Sequence, residues 1–76
     1  MIEGYKNLAN AIVAQAAKDY RKALRRQKLF PFDKKVKREV AELEAFFRSG
    51  WYGLLTSLDG ELLMMQLQAE VREVVA

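Results

Sequence analysis

Apolar residues return at steps of three and four along almost the whole chain, and that period leaves little room for any architecture other than packed α-helices. Between about Tyr5 and Leu29 the positions Tyr5, Leu8, Ala9, Ile12, Val13, Ala16, Tyr20, Ala23 and Leu24 form a stripe over roughly half of a helix circumference. Lys18, Arg21, Lys22, Arg25 and Lys28 gather on the other half. A first helix with one packed face and one solvated face is therefore predicted. Gly4 and Asn7 are both candidate caps for its start. Its end is better marked, because Pro31 pushes Phe30 out of the α region and Phe32 and Asp33 complete a short connection.

Asp33 is placed to cap a second helix running to about Arg48, with Val36, Val40, Leu43 and Phe47 as its apolar stripe. Lys34, Lys35, Lys37 and Arg38 crowd the start of that helix and Glu39, Glu42 and Glu44 follow, the reverse of what the helix dipole favours. The order costs on the order of tenths of a kcal/mol, which a binding role would explain and which solubility at a loop would explain equally well. Ser49 and Gly50 then interrupt, and Trp51, Leu54 and Leu55 predict one or two further turns. Asp59 reads as the N-cap of a last helix from Gly60 to about Val75, with Leu58 able to staple onto Leu63. A β-hairpin competes here, because Asp59-Gly60 between the apolar runs Trp51 to Leu58 and Leu62 to Met65 is also a type I′ turn signal. Those runs do not alternate apolar with polar, so the helical reading is preferred.

The expected fold is all-α: a compact bundle of three main helices plus one short helix between the second and third, a single domain over residues 1–76. Its core is expected from Leu8, Ile12, Ala16, Tyr20, Val36, Val40, Leu43, Phe47, Trp51, Leu55, Leu63, Leu67 and Val71. The last helix carries apolar residues on two sides. Leu63, Leu67, Val71 and Val74 make one stripe, and Leu62, Met64, Met65 and Ala69 are the candidate partner surface on the other flank, with the methionines supplying adaptable packing.

The chain contains neither Cys nor His, which removes thiolate nucleophiles, disulfides, the commonest general base and the commonest transition-metal ligands. No enzyme activity, catalytic residue, metal site, cofactor or small-molecule substrate is expected. Glu39, Glu42, Asp59 and Glu61 read as solvated helix carboxylates rather than as a Mg²⁺ or acid–base group, since no phosphate loop accompanies them. Residues 1–17 lack the pattern of a signal peptide, and no stretch approaches the roughly 18 apolar residues of a membrane span. A cytoplasmic location without a membrane partner is the expectation.

Charge is the most informative feature for binding. Residues 18–38 hold ten of the 13 basic residues against Asp19 and Asp33, a local net of +8, whereas residues 39–76 hold Arg48 and Arg72 against seven acids, a net of −5. Folding the first two helices back on each other around Pro31 brings both basic segments to one tip. Lys18, Arg21, Lys22, Arg25, Lys28, Lys34, Lys35 and Arg38 are the candidate polyanion-binding residues, with nucleic acid as the alternative partner to another protein or a second copy of the chain. A helix-turn-helix around Gly50 fails on chemistry, because Trp51-Tyr52-Gly53-Leu54-Leu55 carries no long polar side chain to reach base edges. Phe46, Phe47, Trp51 and Tyr52 read as core filler around a tight bend rather than as a platform for unpaired bases.

The segments LANAIVAQAAKDYRKAL, from Leu8 to Leu24, and FFRSGWYGLLTSLDGELL, from Phe46 to Leu63, resemble a group of small prophage- and mobile-element-encoded proteins of Gram-positive bacteria. The resemblance implies a mobile-element setting and carries no activity onto any residue. A non-enzymatic interaction module, binding a partner protein or itself, is the functional expectation.

Overall fold

The computed structural model describes residues 2–75, with side chains at position 4 and from 7 to 72. Four helices follow in order: α1 (Ile2–Leu29), α2 (Lys34–Phe47), α3 (Gly50–Leu55) and α4 (Gly60–Val75). Among the described residues there is no strand. The hairpin alternative falls with this: Gly60 opens a helix, and no glycine among the described residues has positive φ, which a type I′ turn demands.

The starts of α2, α3 and α4 each have a local chemical cause. Asp33 accepts from the backbone N–H of Lys35 at 2.8 Å and of Val36 at 3.3 Å, and Asp59 does the same for Glu61 at 2.9 Å and Leu62 at 3.3 Å. Ser49 serves both neighbours: its hydroxyl donates to the Phe46 carbonyl at 2.6 Å, closing α2, and accepts from Tyr52 N–H at 3.1 Å, opening α3. Gly4 and Asn7, the candidate caps of α1, lie inside that helix instead.

With 28 residues, α1 forms the spine, roughly 42 Å long at 1.5 Å per residue, and it sets the 44 Å long axis of the molecule. α2 runs back along it, as the Arg26–Glu39 ion pair near the turn and the Tyr20–Phe47 ring contact further down show. α3 crosses α1 where Leu8, Ala9 and Ile12 meet Trp51 and Leu55. α4 then returns toward the turn, its Gln68 and Val71 reaching Tyr20 and Lys28 of α1.

The core contains Ala9, Val13, Ala17, Tyr20 and Ala23 of α1 with Val40, Phe47, Tyr52, Leu55, Met64 and Leu67, and Val36 and Val71 are also buried. Three expectations need correction. On α1 the buried line is Ala9, Val13 and Ala17, one residue on from the predicted Leu8, Ile12 and Ala16; small side chains allow close helix approach, so the alanines take the contact line. Leu8 is exposed there, and Ile12 and Ala16 are half-buried. In α3 it is Tyr52 that turns inward, with Leu55 three residues on, and Trp51 is 52% exposed. In α4 Met64 is 2% exposed, so it belongs to the core and not to the partner flank: Met64, Leu67 and Val71, at steps of three and four, form the inner line and leave Leu63 half-buried beside it. Leu43 is likewise half-buried. The predicted stripe positions Tyr5 and Val74 lie outside the described side chains.

Tyr20 ties three helices together. Its hydroxyl donates to Glu44 Oε2 of α2 at 2.7 Å and accepts from Gln68 Nε2 of α4 at 2.9 Å, while its ring packs edge-on against Phe47. Burial pushes this phenol up to about 12, the Gln68 bond opposing and the Glu44 carboxylate adding to the shift. A folded pKa above the unfolded value of about 10 means the stabilisation is intact below about pH 10 and drains away as pH rises toward the folded value. Tyr52, raised chiefly by burial and then by the charge of Asp59, acts in the same direction. Tyr20→Phe is expected to cost about 1–3 kcal/mol near neutral pH, because Gln68 and Glu44 lose their shared partner, and to flatten the alkaline loss. Urea midpoints at about pH 8 and about pH 11 check both effects, and an unchanged alkaline slope in the variant contradicts the assignment.

Candidate functional site

Two surface regions stand out from the bundle. The first is the α1–α2 turn. Phe30 N–H still bonds back to the Arg26 carbonyl at 2.7 Å and Asp33 N–H to the Phe30 carbonyl at 3.1 Å, so the turn is tight and ordered by its own backbone. Its side chains nonetheless point away from the core: Leu29 is 74% exposed, Phe30 58% and Phe32 86%, with Pro31 exposed between them. The Lys37 ammonium lies 6.0 Å from the Phe32 ring centroid.

The antiparallel path of α1 and α2 brings Arg25, Arg26 and Lys28 to the same end of the bundle as Lys34, Lys35, Lys37 and Arg38. Not all the predicted polyanion-binding residues are equally placed. Arg21 is engaged with Glu70, its Nε 2.7 Å from Oε2, and that hydrogen bond holds the Glu70 carboxyl below its ordinary value. Lys28 donates to the Val71 carbonyl at 3.2 Å. Lys18 and Lys22 lie one to three turns back along α1, on its outer side. Arg25, Lys34, Lys35 and Arg38 form no ion pair among the described residues. Between α1 and α4 a cleft of about 330 Å³ is walled by Leu24, Gln27, Lys28, Gln68, Val71 and Arg72, and it adds Arg72 to this end of the molecule.

Three of the four carboxylates weighed above as an acid–base or Mg²⁺ group have other partners. Glu39 pairs with Arg26, Glu61 with Arg48, and Asp59 caps α4. The Glu61 hydrogen bond is also the main reason the Arg48 guanidinium is raised above its ordinary value.

The second region is apolar and was not anticipated. A shallow groove of about 450 Å³ between α1 and α2 is lined by Ala11, Ile12, Ala16, Leu43 and Phe46, with Gln15 and Asp19, hydrogen-bonded to each other at 2.9 Å, as its polar edge. A smaller pocket of about 50 Å³ under α3 is lined by Leu8, Ala9, Ile12, Trp51 and Leu55. Ile12 lines both, so the two hollows adjoin in one apolar strip along α1 whose lining residues run from Leu8 to Asp19, about 17 Å or three helical turns. It exists because the apolar arc of α1 is wider than its neighbours cover. A signal for it was present in the sequence, as the two adjacent apolar lines Leu8-Ile12-Ala16 and Ala9-Val13-Ala17 on one helix. On α4 the predicted partner flank is reduced to Leu62 and Met65, both exposed, and half-buried Ala69.

Comparison with protein families, with characterised proteins and with solved structures gives no match. The functional reading therefore rests on these surfaces alone.

Proposed function

We propose that this chain is a non-enzymatic interaction module that receives an amphipathic helix of a partner protein, or of a second copy of itself, in the groove from Leu8 to Asp19. The observation that carries this reading is that the two apolar hollows adjoin at Ile12. Helix-in-groove recognition needs an apolar floor about three turns long with anchors at helical spacing and a polar edge to set register. Leu8, Ile12 and Ala16 supply the floor at steps of four, Leu43, Phe46 and Trp51 the walls, and Gln15 with Asp19 the edge. Trp51 and Phe46 are the residue types that dominate such interfaces, because a rigid aromatic buries much area for little lost rotamer freedom. The resemblance of Leu8–Leu24 and Phe46–Leu63 to mobile-element proteins includes much of this groove, and a role inside such an element fits an interaction module.

Self-association is the version open to direct measurement. Sedimentation equilibrium from micromolar to millimolar chain is expected to show a concentration-dependent dimer that Leu8→Asp shifts to monomer. Leu8 is mostly exposed, so the variant is expected to keep its thermal midpoint within a few degrees of the parent, consistent with the roughly ±0.5 kcal/mol of ordinary surface changes. A parent chain that stays monomeric and also fails to bind an apolar fluorescent dye overturns the groove as a docking surface. A dimer unaffected by Leu8→Asp overturns its location.

A further inference from the structure

Four consecutive apolar residues with no place in the core need a reason, because a chain in water gains nothing from displaying Leu29, Phe30, Pro31 and Phe32 at a convex turn. The charged residues around them are mostly basic, with Glu39, paired to Arg26, as the acid just behind. From residue 20 to residue 38 the single acid is Asp33, and its carboxylate is occupied in capping α2. Arg25, Arg26 and Lys28 stand within about one turn before the apolar residues, and Lys34, Lys35, Lys37 and Arg38 within about two turns after them. The tip is an apolar wedge with a collar of cations behind it, at one end of a molecule 44 Å long and 24 × 18 Å across.

We propose that this tip is an insertion wedge for the surface of an anionic lipid bilayer. The two layers of a lipid surface are matched in order: Leu29, Phe30 and Phe32 reach the boundary between headgroups and acyl chains, and the collar meets the anionic headgroups roughly 5–10 Å further out. Long Lys and Arg side chains suit that second layer, since their alkyl stems lie against apolar surface while the charge stays in water. At the tip the Lys37 ammonium stands 6.0 Å from the Phe32 ring centroid, so a cation already accompanies the most exposed aromatic. Lying on a membrane and crossing one are different demands. No helix among the described residues is long and apolar enough to cross, and a wedge needs none, so the sequence-based expectation of no membrane partner is revised for surface contact only. Nucleic acid fits less well. Proteins that hold single strands stack bases on aromatics along a charged groove that follows the backbone, whereas this tip is convex and half of its apolar residues, Leu29 and Pro31, offer a base no ring face.

The test uses the full chain with vesicles of phosphatidylcholine, with and without phosphatidylserine, in a co-sedimentation assay, and a single-stranded oligonucleotide as the competing ligand. Binding is expected only to the phosphatidylserine vesicles. Phe32→Ser is expected to weaken it by about tenfold or more, as loss of a buried Phe side chain implies. Lys34→Glu with Lys35→Glu is expected to weaken it by more than about 25-fold, at about fivefold per cation lost near an anionic surface. Both variants change exposed residues, so Phe32→Ser is expected to melt with the parent and the double Lys→Glu variant at or slightly above it, since acids at the start of α2 suit its dipole. In Phe32→Trp the added indole should shift its emission to the blue on anionic vesicles, while the Trp51 emission of the parent chain stays put. Equal binding to both vesicle types, phosphatidylserine binding indifferent to Phe32→Ser, or oligonucleotide binding tighter than vesicle binding each overturns the proposal.

Discussion

Replacing Phe47 with alanine is expected to leave the chain largely unfolded at room temperature. Phe47 is 2% exposed and stands at the centre of the aromatic cluster, with the rings of Tyr20, Phe46 and Tyr52 at 5.5, 5.5 and 5.6 Å, all edge-on. Truncating a buried Phe costs about 3–5 kcal/mol through lost transfer energy and the cavity left behind. Three edge-to-face contacts are lost together, which places this site toward the upper end of that range. A domain of this length has about 4–11 kcal/mol in all, on the usual 0.05–0.15 kcal/mol per residue. The site has little means of collapsing, because its walls come from α1, α2 and α3 at once and Tyr20 is pinned by hydrogen bonds to Glu44 and Gln68. Circular dichroism of the variant should show a non-cooperative or absent thermal transition. A cooperative melt within a few degrees of the parent would show that the cluster is not the keystone of the core.

Gly60→Ala is expected to destabilise strongly, at a position where helix propensity alone predicts a gain. Gly60 is the first residue of α4, and Ala for Gly inside a helix ordinarily stabilises by up to about 1 kcal/mol. Here a Cβ would run into the Phe47 carbonyl oxygen, with the carbonyl carbon at 3.1 Å and Tyr52 Cε2 at 3.4 Å. The obstacle is backbone at the end of α2, fixed by the Ser49 hydroxyl on the adjoining Phe46 carbonyl, so it yields only if the α2–α3 junction moves. Such overpacking costs about 1–3 kcal/mol or more. Gly53→Ala is the matched control: it lies in α3, nothing stands within 4 Å of its Cβ position, and a neutral to stabilising effect is expected. Opposite shifts of the two urea midpoints are the expected result. Shifts of the same sign would mean that space at Gly60 is not what selects glycine there.

Local chemistry was readable from the residues, and contacts between elements were not. Asp33 and Asp59 announced their helices because an N-cap is a property of a few adjacent residues, and both are found bonded as caps. Val36, Val40 and Phe47 were clear because the apolar line of α2 has no competitor. On α1 two neighbouring lines compete, and the choice between Leu8-Ile12 and Ala9-Val13 depends on how near the crossing helices come, which no single helix encodes. Met64 was misplaced for a related reason: the inner line of α4 starts at Gly60, a residue without a side chain to count in a periodicity, and its importance shows only where α4 meets Phe47. The groove arises in the same way, from the uncovered margins of three elements. At the α1–α2 turn the sequence marked a connection with basic flanks, but only the fold shows that none of its apolar residues packs inward.

The spine helix also fixes a standoff. Asp19, at the near edge of the groove, and Leu29, at the start of the tip, are ten residues apart on α1, about 15 Å along one unbroken rod. Occupants of the two regions would be held by a rigid bracket at a set distance, without competing for room. A protein of 76 residues can in this way link two things it never encloses, its reach set by the number of turns between them.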